Sequence, residues 1–447
     1  MPNDRAHSEL FEQVLAAARA LGVTGIEAIV SEETQALTRF ANNAIHQNVA
    51  ERSTQLSVRP VIEGRTARAT TNRLDPEGIR TVVAEAIAIT RLTEPDPDLP
   101  PLAEPAVIPA VSRHFASTAG ATPEHRARAV AEAIAAVSSQ GQTAAGIYST
   151  GENHFSLFNS RGVAATYSET MARFSITAMA GDSSGWAKAS ACDRNALDPV
   201  ALARSAAQKA AHSANPRELP AGRYTVILEP AAVLDLAGQM FMDFSATALR
   251  DGRSFLSDRA GQKLFGENIT ACDDAYHPLQ AGAPFDGEGV PRRPLTLIER
   301  GVVREVASSR QAAALSCAEP TGHGFPLPNE MGEGPMNIVI AGGETSVEEM
   351  IASTARGILV TRLWYIREVD PYEKIFTGMT RDGTFLVENG RVTAGVRNFR
   401  FNVGLMEMLS HVEALSPTVR ASGEETFEMV VPAMKVRGFN FTEVTRF

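Results

Sequence analysis

The chain has 447 residues, of which 44% are hydrophobic and 21% are charged, and its formal net charge is −10. This length predicts two domains rather than one core, and the composition is ordinary for a soluble globular protein. The acidic balance, with a sequence pI of about 5.5, argues against a general nucleic-acid binder, because such proteins need a concentrated basic surface.

The sequence carries no signal that directs it to a membrane or out of the cell. Its first ten residues, MPNDRAHSEL, lack the basic and apolar regions of a signal peptide. No stretch approaches the roughly 18 apolar residues that a membrane span needs. Cys192, Cys272 and Cys317 are widely spaced and form no Cys-x-x-Cys pair, which is typical of reduced thiols. We therefore expect a soluble cytoplasmic protein.

Helical and extended patterns alternate along the first half of the chain. The proline-rich residues 93–109 are predicted to form an extended connector, because proline blocks both helices and strand ladders. In chain order we expect a helix over 7–21 that Ser8 could cap, strands over 25–30, 37–49 (with a turn at Asn42-Asn43) and 53–61, a helix over 76–92, a helix over 123–138, strands over 144–158 and 162–179, and a helix over 199–213.

The second half is predicted to be rich in short strands. A boundary near residues 216–222 gives an N-terminal domain over 1–218, in which helices pack on antiparallel strands, and a β-rich C-terminal domain over 219–447. Together they predict an α+β fold. The expected C-terminal elements are a strand over 224–228, a helix from Pro230 to about 249, and a helix over 346–355.

Residues 361–409 are predicted to form a meander around one polar strand. Asp382-Gly383 and Asn389-Gly390 each separate two β-prone runs, and both dipeptides favour the positive φ angles of tight hairpin turns. Trp364 and Tyr365 lie among charges of both signs in the strand over 361–370. This strand is predicted to present aromatic and polar side chains to a ligand or to another surface.

Residue patterns alone give binding loops but no catalytic set. The helix after Pro230 contains no histidine, and residues 272–277 (CDDAYH) resemble a loop in which Asp side chains bond their own backbone. Residues 321–330 (TGHGFPLPNE) form a glycine loop whose backbone could approach a ligand, so His323 and Asn329 are candidate ligand contacts. No Gly-x-Ser-x-Gly elbow occurs, and Cys317 with His323 is not favoured as a catalytic pair.

The chain resembles the TldD/PmbA (TldE) family over nearly its whole length. The matching motifs are residues 39–47 (RFANNAIHQ), 71–74 (TNRL), 286–289 (DGEG), and the stretch from 361 through 385–390 (FLVENG). The resemblance implies a cytoplasmic protein tied to metallopeptidase activity on peptides or unfolded segments. It also implies that a catalytic TldD subunit pairs with a TldE/PmbA subunit.

This sequence departs from the catalytic subunit at the decisive place. Catalytic members carry His-Glu-x-x-x-His on the helix after the strand that resembles residues 224–228, and there two imidazoles and a glutamate serve a metal-bound water. Here no histidine lies between His212 and His277, and no cysteine follows Cys317. The resemblance therefore implies a TldE/PmbA-like chain with no catalytic or metal residues of its own, and zinc is expected in a TldD-type partner.

Such a subunit would hold a peptide for its partner. An exposed strand can bind an extended peptide by β-augmentation, so Arg362 is predicted to meet a peptide carboxylate and Trp364 or Tyr365 to pack on peptide side chains. The alternative, which we favour, is that Trp364 belongs to the core or to a dimer interface. Two alternatives stay open: a stand-alone homodimeric peptidase built around His323, Asp273 and His277, and a binding or regulatory protein without hydrolytic activity.

Overall fold

The strands of the protein form three sheets, and the helices pack against them. The computed structural model describes residues 2–445, with side chains from residue 5 onward. The predicted α+β class is confirmed. None of the helices between residues 2 and 445 is long and apolar enough to cross a membrane.

The first sheet collects its strands from residues 26–191 and is antiparallel throughout, in the order β3-β2-β1-β5-β6-β7, with β4 paired to β2. Its strands are β1 (Ile26–Ala41), β2 (Ala44–Ile62), β3 (Arg65–Thr66), β4 (Ala69–Thr71), β5 (Thr143–Asn159), β6 (Ala164–Ala180) and β7 (Ser183–Ala191). The helices of this part are α1 (Pro2–Ala20), α2 (Pro76–Leu92), α3 (Ala116–Ala119), α4 (Pro123–Ser138) and α5 (Pro199–His212).

The helix starts follow the capping signals in the sequence. Asp75, Thr122 and Asp198 each accept backbone N–H bonds at a helix start, and each is followed by proline at the first helical position, where its missing N–H costs nothing. Ser8 as the cap of the first helix is wrong, because α1 already begins at Pro2.

Helices cover two apolar cores on this first sheet. Helices α1 and α2 bury apolar side chains such as Val14 and Val83 against β1 and β2. Helices α4 and α5 bury small residues such as Ala133 and Ala206 around Phe40 and Phe174. Many of these helix residues are alanine, so the helices can approach the sheet closely.

The remaining two sheets belong to residues 222–445. Their strands are β8 (Gly222–Leu228), β9 (Ala271–Asp273), β10 (Leu295–Glu299), β11 (Val302–Val303), β12 (Ile338–Ile340), β13 (Arg356–Asp370), β14 (Ile375–Glu388), β15 (Arg391–Gly395), β16 (Phe399–Gly404), β17 (Val412–Leu415), β18 (Val419–Ala421), β19 (Met429–Val431) and β20 (Met434–Val444). The helices are α6 (Pro230–Ala237), α7 (Ala246–Arg250), α8 (Arg310–Leu315), α9 (Val347–Ala352) and α10 (Leu405–Ser410).

One of these sheets closes on itself. Its order is β13-β8-β20-β16-β14-β15, and β13 also pairs with β14, so five strands form a ring. The other sheet has the order β11-β10-β9-β12-β19-β18. A single large apolar cluster joins them. Closure pairs most of the strand edges that an isolated sheet would expose, but β13 pairs with β8 only over Ile358–Val360, so the edge of β13 beyond this stretch is not part of that pairing.

The predicted single helix from Pro230 to about 249 is wrong. Helix α6 ends at Ala237, a 3-10 segment covers Gly238–Asp243, and α7 starts after a new cap at Ser245. The backbone at Gly238 passes so close to its neighbours that a Cβ there would lie 2.7 Å from the side chains of Met429 and Thr426. Tertiary packing therefore overrides the helical pattern at this point.

The prediction of two hairpin turns in residues 361–409 is half confirmed. Asn389-Gly390 forms the turn between β14 and β15, with both φ angles positive. Asp382-Gly383 does not form a turn, because β14 runs through it from Ile375 to Glu388. These two residues instead oppose the single residue Thr361 as a β-bulge, which also uses positive φ.

Candidate functional site

Two β-bulges bracket the polar, aromatic segment of β13. At one end Asp382 and Gly383 of β14, with φ of 51° and 137°, oppose Thr361. At the other end Tyr365 and Ile366 oppose one residue of β14, and Tyr365 has a φ of 55°. A bulky residue with positive φ is an outlier that the surroundings must hold in place. The segment between the bulges is therefore built to aim particular side chains.

Arg362 is committed to a partner within the chain. Its side chain is buried. Its Nε donates to Oδ2 of Asp382 at 2.9 Å, and its Nη2 donates to the same oxygen. The guanidinium lies over the rings of Trp186, at 4.8 Å, and Trp364, at 5.4 Å. Because Trp186 lies on β7, Arg362 joins the ring of strands to the first sheet. A peptide carboxylate would have to displace Asp382 to reach it.

The two aromatic residues after Arg362 differ in exposure. Trp364 is half-buried, with the Arg381 guanidinium 4.8 Å from its ring. Tyr365 is 53% exposed and carries the Arg367 guanidinium at 4.3 Å. Tyr365 is therefore the member of this pair that offers an aromatic face to solvent.

A loop over residues 422–428, which we call the Glu425 loop, covers the outer edge of β13 beside Tyr365. The Glu425 carboxylate accepts the backbone N–H groups of Tyr365 at 2.6 Å and Ile366 at 3.3 Å. The strand edge therefore has its N–H groups satisfied at the bulge, and a peptide strand could add there only if the loop moved.

The Glu425 loop is anchored from below by Asp235 of α6. Oδ1 of Asp235 accepts the backbone N–H groups of Glu424 and Glu425, each at 3.0 Å. Burial raises the pKa of the Asp235 carboxyl to about 6. Its Oδ2 is buried and has no hydrogen-bond partner among the described residues. Helix α6, the Glu425 loop and the bulge at Tyr365 thus form one connected unit.

Helix α6 does not fit a zinc ion. Zinc needs several converging nitrogen, sulfur or oxygen donors. The neighbours of Asp235 on this helix, Leu234 and Leu236, are fully buried apolar residues. Asp235 itself is used by the loop backbone. The residues present at this helix therefore supply no metal-ligand set.

A polar groove runs between the first sheet and the Glu425 loop. It encloses a cavity of about 390 Å³ whose lining includes Arg173 of β6, Lys188 of β7, Arg420 and Glu428. Lys188 Nζ donates to the Gly423 carbonyl at 2.6 Å and to the Glu424 carboxylate at 3.1 Å. Cations of the first sheet (Arg173 and Lys188) and of the C-terminal part of the chain (Arg420) therefore lie beside the Glu425 loop.

Glu428 is the electrostatic centre of this groove. Burial alone would raise its pKa, but hydrogen bonds and charge from Arg173 and Arg420 outweigh burial and lower the pKa to about 2. Arg173 donates to it at 2.8 Å and 3.3 Å, and Arg420 at 2.6 Å. The carboxylate therefore stays ionised and links β6 to the C-terminal part of the chain.

His323 lies in the interior rather than on a binding surface. It has no exposed area, its Nε2 is 3.1 Å from Oδ1 of Asp273, and its Nδ1 is 3.0 Å from the Thr321 hydroxyl. The other oxygen of Asp273 accepts the N–H groups of Met336 and Asn337. His323 therefore braces its loop, and a peptide has no access to it in this arrangement.

Asn329 also closes a loop. Its Nδ2 donates to the carbonyls of Phe325 and Pro326 at 3.2 and 3.4 Å, and its Oδ1 accepts the Gly332 N–H at 2.6 Å. The structure therefore separates the five predicted contacts into Tyr365, which is exposed, and four whose polar groups or rings are engaged within the chain. Substrate binding by these residues stays a prediction.

Two buried carboxylates lie in the DGEG segment, which the sequence analysis singled out only as a matching motif. Asp286 and Glu288, from the DGEG segment, have only 2% exposed surface each. Asp286 accepts the N–H of Gly324 at 2.8 Å, and Glu288 accepts that of Arg310 at 2.9 Å. Burial, with the adjacent Asp286 charge, raises the pKa of Glu288 to about 8. Carboxylates are mostly exposed, so the motif alone does not predict that these two are buried.

A group missed from the sequence has the spacing of metal ligands. Among the described side chains, His114, Glu152 and His154 place one ligand atom each within 4.8 Å of the others. Glu152 and His154 lie on β5, and His114 lies in the segment between α2 and α3, so this group is on the first sheet and not at α6. The separation of nearly forty residues hides it in the sequence.

Comparison with known families gives matches along most of the chain. Residues 221–443 match the PmbA/TldA metallopeptidase C-terminal domain, residues 119–214 match the central domain, and residues 26–90 match domain 1. The two N-terminal matches both fall within the strands and helices of the first sheet.

Individual relatives agree with these matches. The chain is 24% identical over 233 residues to a metalloprotease of Methanothermobacter thermautotrophicus, covering 49% of this chain and 48% of that protein. It is 27% identical over 222 residues to Metalloprotease MJ0996 of Methanocaldococcus jannaschii, covering 48% of each. The matched region thus spans about half the length of these curated relatives. TldE from Thermococcus kodakarensis has the same fold, with a TM-score of 0.87 at 22% identity over 97% of this chain and all of that one.

Proposed function

Since the chain belongs to the PmbA/TldD family of metallopeptidase-related proteins, we propose that it is the non-catalytic, TldE/PmbA-like subunit of a cytoplasmic TldD-type metallopeptidase. The observation that carries the proposal is helix α6. Where a catalytic subunit needs imidazoles, this helix has buried leucines and an aspartate that holds the Glu425 loop. The partner would supply zinc and the general base, and this chain would hold the peptide.

The proposed peptide-holding surface consists of Tyr365, the Glu425 loop and the groove beside it. Tyr365 offers an exposed aromatic face at a strained backbone position, and such strain is concentrated at binding and active sites. The cations that line the groove, Arg173, Lys188 and Arg420, already pair with Glu428 or with the Glu425 loop, so the groove contributes a polar wall beside Tyr365. Aromatic residues beside arginine are also frequent among the dominant contacts of binding surfaces.

The stand-alone peptidase built around His323, Asp273 and His277 has less support. His323 is completely buried and paired with Asp273, so neither group can reach a peptide bond in solvent. We therefore place hydrolysis in the partner, and we regard a homodimer of this chain as a binding rather than a catalytic state.

The test is a peptidase assay on the chain alone and on the chain mixed with a TldD-type partner that carries His-Glu-x-x-x-His. We expect no hydrolysis by the chain alone and a higher kcat/KM for the mixture than for the partner alone. Chelator-sensitive hydrolysis by the chain alone would contradict the proposal. The absence of any effect of the chain on the partner would contradict it equally.

Tyr365→Ala tests the proposed surface. It should lower kcat/KM of the mixture about tenfold, the loss expected for one contact of about 1.4 kcal/mol, without changing assembly. Tyr372→Ala is the matched control, because Tyr372 is also half-exposed and also carries an arginine, Arg259, over its ring at 4.4 Å. Equal effects of the two variants would remove Tyr365 from the proposed surface.

A further inference from the structure

A cluster of two histidines and one glutamate on the first sheet has the geometry of a metal site. His114 Nε2 is 3.0 Å from Oε2 of Glu152, and His154 Nε2 is 3.7 Å from the same oxygen. Zinc bonds of about 2.0–2.1 Å in a tetrahedron place neighbouring ligand atoms about 3.4 Å apart. The two measured distances lie on either side of that value, so small side-chain shifts would accommodate an ion.

We propose that His114, Glu152 and His154 bind one Zn²⁺ ion. Two imidazoles and a carboxylate are a donor set that suits Zn²⁺ and not Mg²⁺, which prefers oxygen ligands. Three protein ligands leave one tetrahedral position for water or a small anion. His114 and Ser168 also line a cavity of about 370 Å³ between residues 108–114 and β6, so open space borders this ligand.

The strands hold two of the ligands in a fixed relation. Glu152 and His154 are two residues apart on β5, and their side chains therefore project from the same face of the sheet. The Nδ1 of His154 is 2.7 Å from the hydroxyl of Ser168, its register partner on β6. This contact leaves Nε2 directed to the site, as an outer hydrogen bond commonly does for metal-bound histidine.

The third ligand is fixed by the backbone on both sides of it. The carbonyl of Arg113 accepts the Thr170 N–H at 3.0 Å, and the Phe115 N–H donates to the Thr170 hydroxyl at 3.0 Å. His114 is therefore pinned over β5 and β6 although it belongs to a segment without helix or strand. All three side chains keep partial access to solvent, with 24%, 29% and 10% exposure, so an ion can enter.

Metal binding would tie the segment that follows the connector to both parts of the chain. The guanidinium of Arg113, next to His114, donates to the carbonyl of His277 at 2.8 Å and to those of Ala275 and Pro278 at 3.3 Å. An ion on His114 would therefore clamp the segment that follows the connector between the first sheet and the loop at 275–278. The site lies apart from helix α6, and it stands or falls independently of the peptidase-subunit function.

The test uses the full chain, stripped with a chelator, reloaded with Zn²⁺ and analysed for bound metal by mass spectrometry. We expect one Zn²⁺ per chain, an affinity lowered at least 100-fold by His114→Ala or His154→Ala, and a loss of about tenfold for Ser168→Ala. His46→Ala, at an exposed histidine of β2, and Cys317→Ser, at an exposed free thiol, are controls that should bind zinc as the wild type does.

A second readout guards against misfolded variants. Glu152→Gln keeps the size of the side chain, so its metal-free melting temperature should equal that of the wild type, whereas zinc should raise the melting temperature of the wild type alone. Zinc should also slow protease cleavage within residues 93–112 in the wild type only. The proposal is overturned if the wild type retains no zinc, or if the histidine variants retain as much zinc as His46→Ala.

Discussion

Replacing Glu428 with glutamine should weaken the contact between the first sheet and the C-terminal part of the chain. The carboxylate receives hydrogen bonds from Arg173 of β6 and from Arg420, and a further bond from the Ser422 hydroxyl at 3.1 Å. Its side chain is only 14% exposed. Glutamine would keep one acceptor oxygen, but it would turn an amide toward a guanidinium and leave two cations without their counter-charge.

The size of the effect follows from the pKa of Glu428. A shift from 4.5 to about 2 corresponds to about 3 kcal/mol of stabilisation, at about 1.36 kcal/mol per pKa unit. Because the pKa is lower in the folded state, this stabilisation is fully present above pH 4.5. It is lost as the pH falls from 4.5 toward 2, when the folded state must also take up a proton.

The assay is urea unfolding of wild type and Glu428→Gln at several pH values between 7.5 and 3.5. The difference in free energy of unfolding should be about 3 kcal/mol at pH 7.5 and should narrow below pH 4.5. Glu267→Gln is the control, because Glu267 also pairs with an arginine, Arg300, but is well exposed, and exposed pairs contribute little. A difference for Glu428→Gln that matches Glu267→Gln, or that stays constant down to pH 3.5, would refute the reasoning.

Three further changes test other parts of the structure by urea unfolding. Burial raises the pKa of Asp235 from 3.8 to about 6. The free energy of unfolding of the wild type should therefore fall by about 3 kcal/mol relative to that of Asp235→Asn as the pH rises from 3.8 to 6. The same dependence of this free energy on pH in both proteins would contradict the prediction. Arg362→Ala should lower the free energy of unfolding by about 3–5 kcal/mol, because the buried Asp382 loses its main cation and keeps the more distant Arg381, at 3.5 Å; a loss below about 1 kcal/mol would count against that pairing. Gly185→Ala should lower the free energy of unfolding by more than about 2 kcal/mol, because the added Cβ would overlap the Ala206 carbonyl of α5. Gly404→Ala is the control: its Cβ would lie 3.9 Å from the nearest atoms, so the loss should be less than about 1 kcal/mol.

The sequence predicts helices and strands well where local chemistry decides them. Asp75-Pro76 marks the start of α2, and Asn389-Gly390 marks a hairpin turn, because capping and positive φ act over two to four residues. Asp382-Gly383 carries the same positive-φ signal, yet it forms a bulge. The choice between turn and bulge depends on the partner strand β13, which lies twenty residues away in the sequence.

The site could be predicted only in part, because its features arise from burial and from distant contacts. Trp364 and Tyr365 are adjacent in the sequence, and only the bulge of β13 decides that Tyr365 is the exposed one. Arg362 has many possible partners in the sequence, and the fold selects Asp382 and Trp186. The DGEG motif marks Asp286 and Glu288 in the sequence but does not predict their burial, and no local motif predicts that His114 meets Glu152 and His154.

Helix α6 connects the missing metal motif to the proposed peptide-holding surface. A metal-binding helix must direct polar side chains into an open site, whereas α6 directs leucines into the core and uses Asp235 to fasten Glu424 and Glu425. Glu425 in turn holds the backbone N–H of Tyr365 at the bulge. Under the proposed function, the helix at which a catalytic subunit would carry its metal ligands serves here to fix the Glu425 loop and the exposed side chain of Tyr365.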